Sequence, residues 1–268
     1  KKESRNKIQK KMFEHVVRVP FDMKPVFTQC ERPSFNVNDT DLLIQAQKVI
    51  ELNNLGENVW FETETAIKED LVYETAKKLG LFNEHDNYQL LPECKDIKQL
   101  GLAIEDDVVI MHRGKLEACF VAFPSSWNAG EKVGKSLTEL HKPIADNEAL
   151  LRASDGIMRA MCSGQSFHRY TWGISPLSGY SNHPLYEKPE IKNLKDLTFR
   201  VEHERTMTVK EGETAVFLIH VDTYPLMDVL ETDSGLIIQA IESMSESVLE
   251  YKNLIEVREL LHEHILST

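Results

Sequence analysis

Residues 117–144 read Glu-Ala-Cys-Phe-Val-Ala-Phe-Pro-Ser-Ser-Trp-Asn-Ala-Gly-Glu-Lys-Val-Gly-Lys-Ser-Leu-Thr-Glu-Leu-His-Lys-Pro-Ile. The stretch opens as a strand, apolar and β-favouring around Phe120 and Ala122. It stops at Phe123-Pro124, because proline lacks the N–H that a central strand needs. A Gly-punctuated polar segment follows, with Trp127 packing under the Pro124 turn. Ser136-Leu-Thr-Glu139 then reads as a capping box opening a short helix that carries His141 and is stopped by Pro143. On spacing alone, His141 suits a ligand or a catalytic base and equally suits an ordinary capping histidine.

Working outward, Val108-Val-Ile-Met-His112 and Leu116–Phe123 are β-rich runs joined by the hairpin signal Arg113-Gly-Lys115. Asp146-Asn-Glu148 caps a helix to about Cys162, with Leu150, Ala153, Ile157 and Met161 on one face. Three more strands are expected at 167–174, 197–209 and 214–224; Lys210-Glu-Gly-Glu213 turns between the last two. Residues 1–38 are broken by Pro20, Pro25 and Pro33 and read as irregular. Asp39-Thr40-Asp41 caps a helix to about Asn53 with the apolar stripe Leu43, Ala46, Val49 and Ile50. A second helix is expected over 64–79, with Ile67, Leu71, Thr75 and Leu79 in register, and a polar connection over 80–98. C-terminal helices carry two stripes: Ile237, Ile241, Met244 and Val248, then Leu254, Val257, Leu260 and Leu261.

This order is α+β: a five-stranded antiparallel sheet with helices inserted between strands two and three, flanked by N- and C-terminal helices. It divides into a mostly helical extension (1–99), a core (100–226) and C-terminal helices of the same domain (227–268).

Composition excludes several classes. A net charge of −12 argues against nucleic acid as the main partner, and no apolar run approaches the ~18–20 residues of a membrane span. Cys30, Cys94, Cys119 and Cys162 are too far apart in sequence for zinc, iron–sulfur or thioredoxin-type pairs, which points to a reducing, cytoplasmic compartment. His262-Glu-His264 diverges on a helix, and there is no Gly-rich phosphate loop or Gly-x-Ser-x-Gly elbow.

Two strands, a helical insert and three strands is the order of a PAS domain. A narrower likeness lies in Leu100-Gly-Leu-Ala-Ile-Glu-Asp-Asp107, Phe123-Pro-Ser-Ser-Trp127, Glu131-Lys-Val-Gly134 and Leu140-His-Lys-Pro-Ile144. Arg169-Tyr-Thr-Trp-Gly-Ile174 and Arg200-Val-Glu-His-Glu-Arg-Thr-Met207 continue it. This succession, over about 100–226, resembles the haem-dependent oxidative N-demethylase α-subunit family. The resemblance implies haem b in a PAS-like pocket and O2-dependent oxidation of a small secondary amine, dimethylamine, to methylamine and formaldehyde. It also implies NADPH-derived electrons from reductase subunits carrying FMN and a [2Fe–2S] centre. The alternative class is a PAS-like sensor that binds haem or a small ligand without catalysis. Two departures stand out: Ile144-Ala-Asp-Asn147 replaces the family's Pro-Gly-like turn, and one extra residue in Arg200–Thr206 leaves Glu202 and Glu204 competing for one position.

The resemblance implies His141 as the axial ligand, with His168 as runner-up. Arg200, Glu202 and Glu204 share a strand face, opposite Phe199, Val201 and His203. A solvated face is the ordinary reading of such a row. In the functional one, Glu202 or Glu204 binds the substrate ammonium and assists proton delivery, while Arg200 pairs with that carboxylate or a haem propionate. Arg169 is a propionate candidate; Trp172, of opposite parity, and Tyr224, at the end of the last strand, complete the cofactor-binding set. His203 and His220 read as buried neighbours.

Overall fold

The structure, a computed structural model, describes residues 13–24, 26–31, 42–81 and 94–267. Beyond a helical turn at 13–16, these residues form β1 (Thr28–Cys30), α1 (Leu42–Leu55), β2 (Trp60–Glu62), α2 (Glu64–Lys68), α3 (Leu71–Leu79) and α4 (Ile97–Ala103). Then come β3 (Asp107–His112), β4 (Lys115–Phe120), α5 (Leu137–His141), α6 (Glu148–Met161), β5 (Ser166–Ser175), β6 (Thr198–Lys210) and β7 (Thr214–Pro225). The chain ends in α7 (Leu226–Glu242), α8 (Glu246–Tyr251) and α9 (Ile255–Ser267).

The sheet is antiparallel throughout, with seven strands in the order β1-β5-β6-β7-β3-β4-β2, not the five expected from sequence. The five expected strands are all present. The additional two, β1 and β2, are three-residue edge strands, too short to display a period of two. Arg113 (φ 47) and Gly114 (φ 79) both adopt left-handed backbone in the β3–β4 turn, the conformation a two-residue hairpin demands.

One sheet face carries two apolar patches. Val108, Ile110, Ala118, Phe120, Val216 and Leu218 pack with residues of α1, α3 and α4. Trp172, Ile174, Phe199 and Val201 pack with residues of α7, α8 and α9, including Ile237, Ile241, Val248 and Val257. Full burial of one such side chain contributes about 1.5–3 kcal/mol. On the opposite face, Val109, Met111 and Cys119 pack with Trp127, with Leu137 and Leu140 of α5, and with Met158 of α6.

Two helix readings are corrected. The stripe Leu43, Ala46, Val49 and Ile50 is exposed; α1 instead buries Ile44, Lys48, Glu51 and Leu55. That face was hidden because two of its members are charged, and their burial is made tolerable by partners elsewhere: Tyr186 donates to Glu51 at 2.5 Å. The cap expected at Asp39–Asp41 lies outside the described residues. The helix expected over 64–79 is two helices, because Asp70 takes left-handed backbone (φ 51) between α2 and α3 and leaves Ile67 exposed. The C-terminal stripes are buried as expected, apart from half-buried Leu260. All four cysteines are free thiols.

Candidate functional site

Among the described residues, strand β1 pairs only with Ser166, Phe167 and His168 of β5. Beyond it the β5 edge, from Arg169 to Ser175, borders a cleft of about 770 Å³. Register builds the polar wall of this cleft: Arg169 stands opposite Glu204, Thr171 opposite Glu202 and Gly173 opposite Arg200. The sequence-predicted row Arg200, Glu202 and Glu204 is therefore turned into the cleft together with Arg169 and is not a solvated face.

Each charge in the row has a partner. Arg169 Nε donates to Glu204, and its guanidinium lies 5.0 Å from the Phe27 ring centre. Burial pushes the Glu204 carboxyl above its usual range, and Arg169 pulls it back. Arg200 Nη2 donates to the Phe123 carbonyl at 2.8 Å and to Glu202 Oε1 at 3.1 Å, while Nη1 donates to the Tyr180 carbonyl. Thr171 Oγ1 donates to Glu202 Oε2 at 3.4 Å.

The Phe123 carbonyl is itself held from behind. Asp107 accepts from the N–H groups of Ala122 (3.0 Å) and Phe123 (2.8 Å). Fully buried Lys48 lies 3.8 Å from Asp107 and donates to the carbonyls of Gly101, Ile104 and Asp106 at 2.8, 2.8 and 2.6 Å. Burial pushes the Asp107 carboxyl up to about 6, against the Lys48 charge, and pushes Lys48 down to about 8.

His141 sits at the last turn of α5, whose capping box forms as predicted: Ser136 N–H donates to Glu139 Oε2 at 2.7 Å and Glu139 N–H to Ser136 Oγ at 3.3 Å. Its Nδ1 is buried and has no hydrogen-bond partner among the described residues. Burial, with the charges of Arg169 and Lys132 adding, pushes the imidazole down to about 4, so it is neutral at pH 7. Ile144, three residues on, lines the cleft together with Leu150 of α6. Asn147 Nδ2 caps this helix, donating to the carbonyls of His141 (3.2 Å) and Lys142 (2.8 Å).

The other candidates lie elsewhere. Trp172 stacks on Phe199 (5.6 Å, 26°) in the helix-covered patch and meets the cleft only where β5 borders it. Tyr224 packs edge-on to Phe13 at 5.5 Å, outside the cleft lining, its hydroxyl pushed up to about 12 by burial and then Asp222. His168 is on the face opposite Arg169, its Nδ1 3.0 Å from His203 Nε2. His203 is held near 4 by burial and then the Arg205 charge, and Tyr170 stacks on it at 4.2 Å. His220 stands opposite His203 in the register; hydrogen bonds with Asp106 and then Asp222 raise it to about 10. These rings are half-buried in a row between the two apolar patches. Among the described residues no three His, Cys, Asp or Glu side chains are grouped to hold a bare metal ion.

Sequence reasoning missed Lys48, Asp107 and Lys252, the last of which also lines the cleft. Only Asp107 left a trace, as the third acid of Glu105-Asp-Asp107 before a strand. Lys48 and Lys252 look like surface lysines in their helical contexts.

Sheet and cleft together define an α+β protein with a polar, arginine–glutamate cleft; His141 is not in its lining but lies three residues before Ile144, which is. A family model described as haem-dependent oxidative N-demethylase, alpha subunit-like, matches residues 62–262, and the chain belongs to that family. The match spans the cleft's α6, β5, β6 and α8 residues and leaves out Lys48 and the segment 13–24. No curated protein matches the chain.

Proposed function

We propose that this chain is the haem-binding subunit of an oxidative N-demethylase that oxidises a small secondary amine such as dimethylamine. His141 carries the proposal: it is neutral, its Nδ1 is buried without a partner among the described residues, and Ile144, three residues on, lines a cleft of about 770 Å³ whose lining does not include His141 itself. A neutral imidazole such as His141 is the kind of donor a haem b would take. The macrocycle supplies four nitrogens, so the protein needs to add one axial imidazole and no ligand cluster. The central strand order β4-β3-β7-β6-β5, with α5 and α6 inserted between the second and third strands of the core, supports a PAS-like core over 100–226. In this reading 1–99 and 227–268 pack on that core as parts of one domain.

In this reading His141 would hold the iron and Arg169 would pair with a propionate. Bound haem supplies the O2 chemistry, with electrons from NADPH through FMN and [2Fe–2S] on reductase subunits. The balance is (CH3)2NH + O2 + 2e− + 2H+ → CH3NH2 + HCHO + H2O. Glu202 is the better of the two carboxylates for the substrate ammonium. Its side chain is held by Arg200 and Thr171 at 3.1 and 3.4 Å, whereas Glu204 is buried and committed to Arg169. Arg200 and Thr171 orient the Glu202 carboxylate, which can then accept a hydrogen bond from the substrate amine. The apolar side chains of Ile144 and Leu150 exclude water from the same space.

An absorption spectrum after haem reconstitution, with and without dithionite and CO, tests the reading. A Soret band that His141→Ala removes or shifts is expected; no Soret band in the wild type refutes it. Formaldehyde release from dimethylamine with a surrogate reductant then separates an enzyme from a binding protein.

A further inference from the structure

We propose that Lys252 is the carboxylate anchor of the cleft, its ammonium pairing with a carboxylate of the bound group, either a cofactor propionate or the carboxyl of an amino-acid-like secondary amine. The inference rests on the haem reading above and deepens it. Lys252 closes α8: its backbone N–H donates to the carbonyls of Glu250 and Val248, and Asn253 turns the chain with φ 53. The side chain then runs to the open edge of β5, where Nζ donates to the Trp172 carbonyl at 2.9 Å. It lies over two aromatic faces, 5.4 Å from the Phe21 ring centre and 5.7 Å from Trp172. Such a notch fixes a cation's position before any ligand arrives.

The difference from the two arginines is a carboxylate in contact: each arginine has one, and Lys252 has none among the described residues. Arg200 gives its Nη groups to two carbonyls and Glu202, and Arg169 is engaged by Glu204. An ammonium has three N–H donors, and among the described residues Nζ has one hydrogen-bond acceptor, the neutral Trp172 carbonyl. Glu202 reaches it only through its field. Burial lowers Lys252 to about 8, which leaves it cationic at pH 7 but under-compensated. A carboxylate entering the cleft supplies the missing partner. The positions of Lys252 and Glu202 on the same cleft also suit a ligand carrying a carboxylate and an ammonium together.

The test compares ferric haem with its dimethyl ester, whose propionates carry no charge, by Soret titration of apo wild type, Lys252→Met and Lys252→Arg. Methionine keeps the length and the aromatic contacts. If the carboxylate is the cofactor's, Lys252→Met weakens haem about tenfold to a hundredfold, leaves the ester within twofold, and arginine restores most of the loss. If it is the substrate's, the two porphyrins behave alike, and Lys252→Met instead loses the spectral response of the haem-loaded protein to N-methylglycine while keeping that to dimethylamine. Wild-type affinities for haem and N-methylglycine in Lys252→Met overturn the assignment. Should the wild type bind neither porphyrin, the haem reading fails separately. Lys252 is then decided by titrating apo wild type and Lys252→Met with N-methylglycine, followed by tryptophan fluorescence, where absent binding or equal binding overturns it. Lys252→Gln, which keeps a donor for the Trp172 carbonyl, repeats every arm if the methionine variant loses its near-UV circular dichroism.

Discussion

Replacing Lys48 by methionine separates two costs by pH. The first is independent of pH: the carbonyls of Gly101, Ile104 and Asp106 lose a shared donor inside the core. At about 1 kcal/mol each, the low end for an unsatisfied buried group, that is about 3 kcal/mol. The second is the charge left on Asp107. In the wild type, burial raises this carboxyl from 3.8 to about 6, so the folded state binds the proton more tightly and stability falls as pH rises through that window, then levels. Lys48, lowered from 10.5 to about 8, adds nothing until pH 8, above which stability recovers because the unfolded chain holds the extra proton. Between pH 6 and 8 the wild-type pair is therefore flat. Lys48 is the largest influence holding Asp107 down, ahead of the Phe123 and Ala122 amides and Arg200. Without it the Asp107 transition moves higher and the decline continues, at about 1.4 kcal/mol per pH unit, or about 2 kcal/mol from pH 6 to 7.5. Urea unfolding of both proteins at these two pH values, followed by far-UV circular dichroism, reads the difference. A Lys48→Met cost that is equal at both values would refute Lys48 as the counter-charge of Asp107 and assign that role to the amides and Arg200.

Glu204→Gln leaves Arg169 without its ion partner in a half-buried site and is expected to cost about 2 kcal/mol in urea unfolding. Glu202→Gln should cost less than about 1 kcal/mol, because a side-chain amide still accepts from Arg200, yet lower formaldehyde release at least tenfold. His141→Ala should leave stability within about 1 kcal/mol, since Nδ1 gives up no hydrogen bond, while abolishing the native Soret spectrum. His220 is raised from 6.5 to about 10, so its contribution is fully present below pH 6.5 and lost as pH rises toward 10. The wild-type minus His220→Gln stability difference should shrink by about 1 kcal/mol between pH 7 and 9, and a difference independent of pH would remove the Asp106–His220 ion pair from the account.

The legible parts of this chain are those where one local rule acts alone. The long strands β5, β6 and β7 are runs of β-favouring residues bounded by turn signals, and Ser136–Glu139 is a cap whose two bonds lie within four residues. Alternation alone puts Arg200, Glu202 and Glu204 on one strand face, but it does not tell a solvated face from a cleft. The answer lies in β5, where register sets Arg169 against Glu204. The N-terminal helix misled because its hydrophobic stripe is the exposed one. Its true core face is readable only once three carbonyls and Asp107 are seen around Lys48, contacts 53 to 59 residues away in sequence. Lys252 is hidden for the same reason, since its acceptor and rings come from β5 and the N-terminal segment. Charged residues whose burial depends on distant partners carry no periodic signature.

The departure at Ala145–Asn147 acquires a physical meaning in this light. Asp146 takes left-handed backbone (φ 51), and its carboxylate accepts from Ser245 Oγ at 2.6 Å and Ser247 Oγ at 2.9 Å, at the start of α8. Ser245 is also the N-cap of that helix, accepting from Val248 N–H at 3.3 Å. Asn147 meanwhile holds the two last carbonyls of the His141 helix. Three residues thus tie the turn after His141 to the first turn of α8, and the last residue of α8 is followed by Lys252. A Pro-Gly turn would preserve the chain reversal but supply neither carboxylate nor amide side chain. The Asp146–Asn147 turn is thus a cross-link between the two elements that carry His141 and Lys252. Its loss would then be felt at both elements, which separates it from a neutral loop replacement.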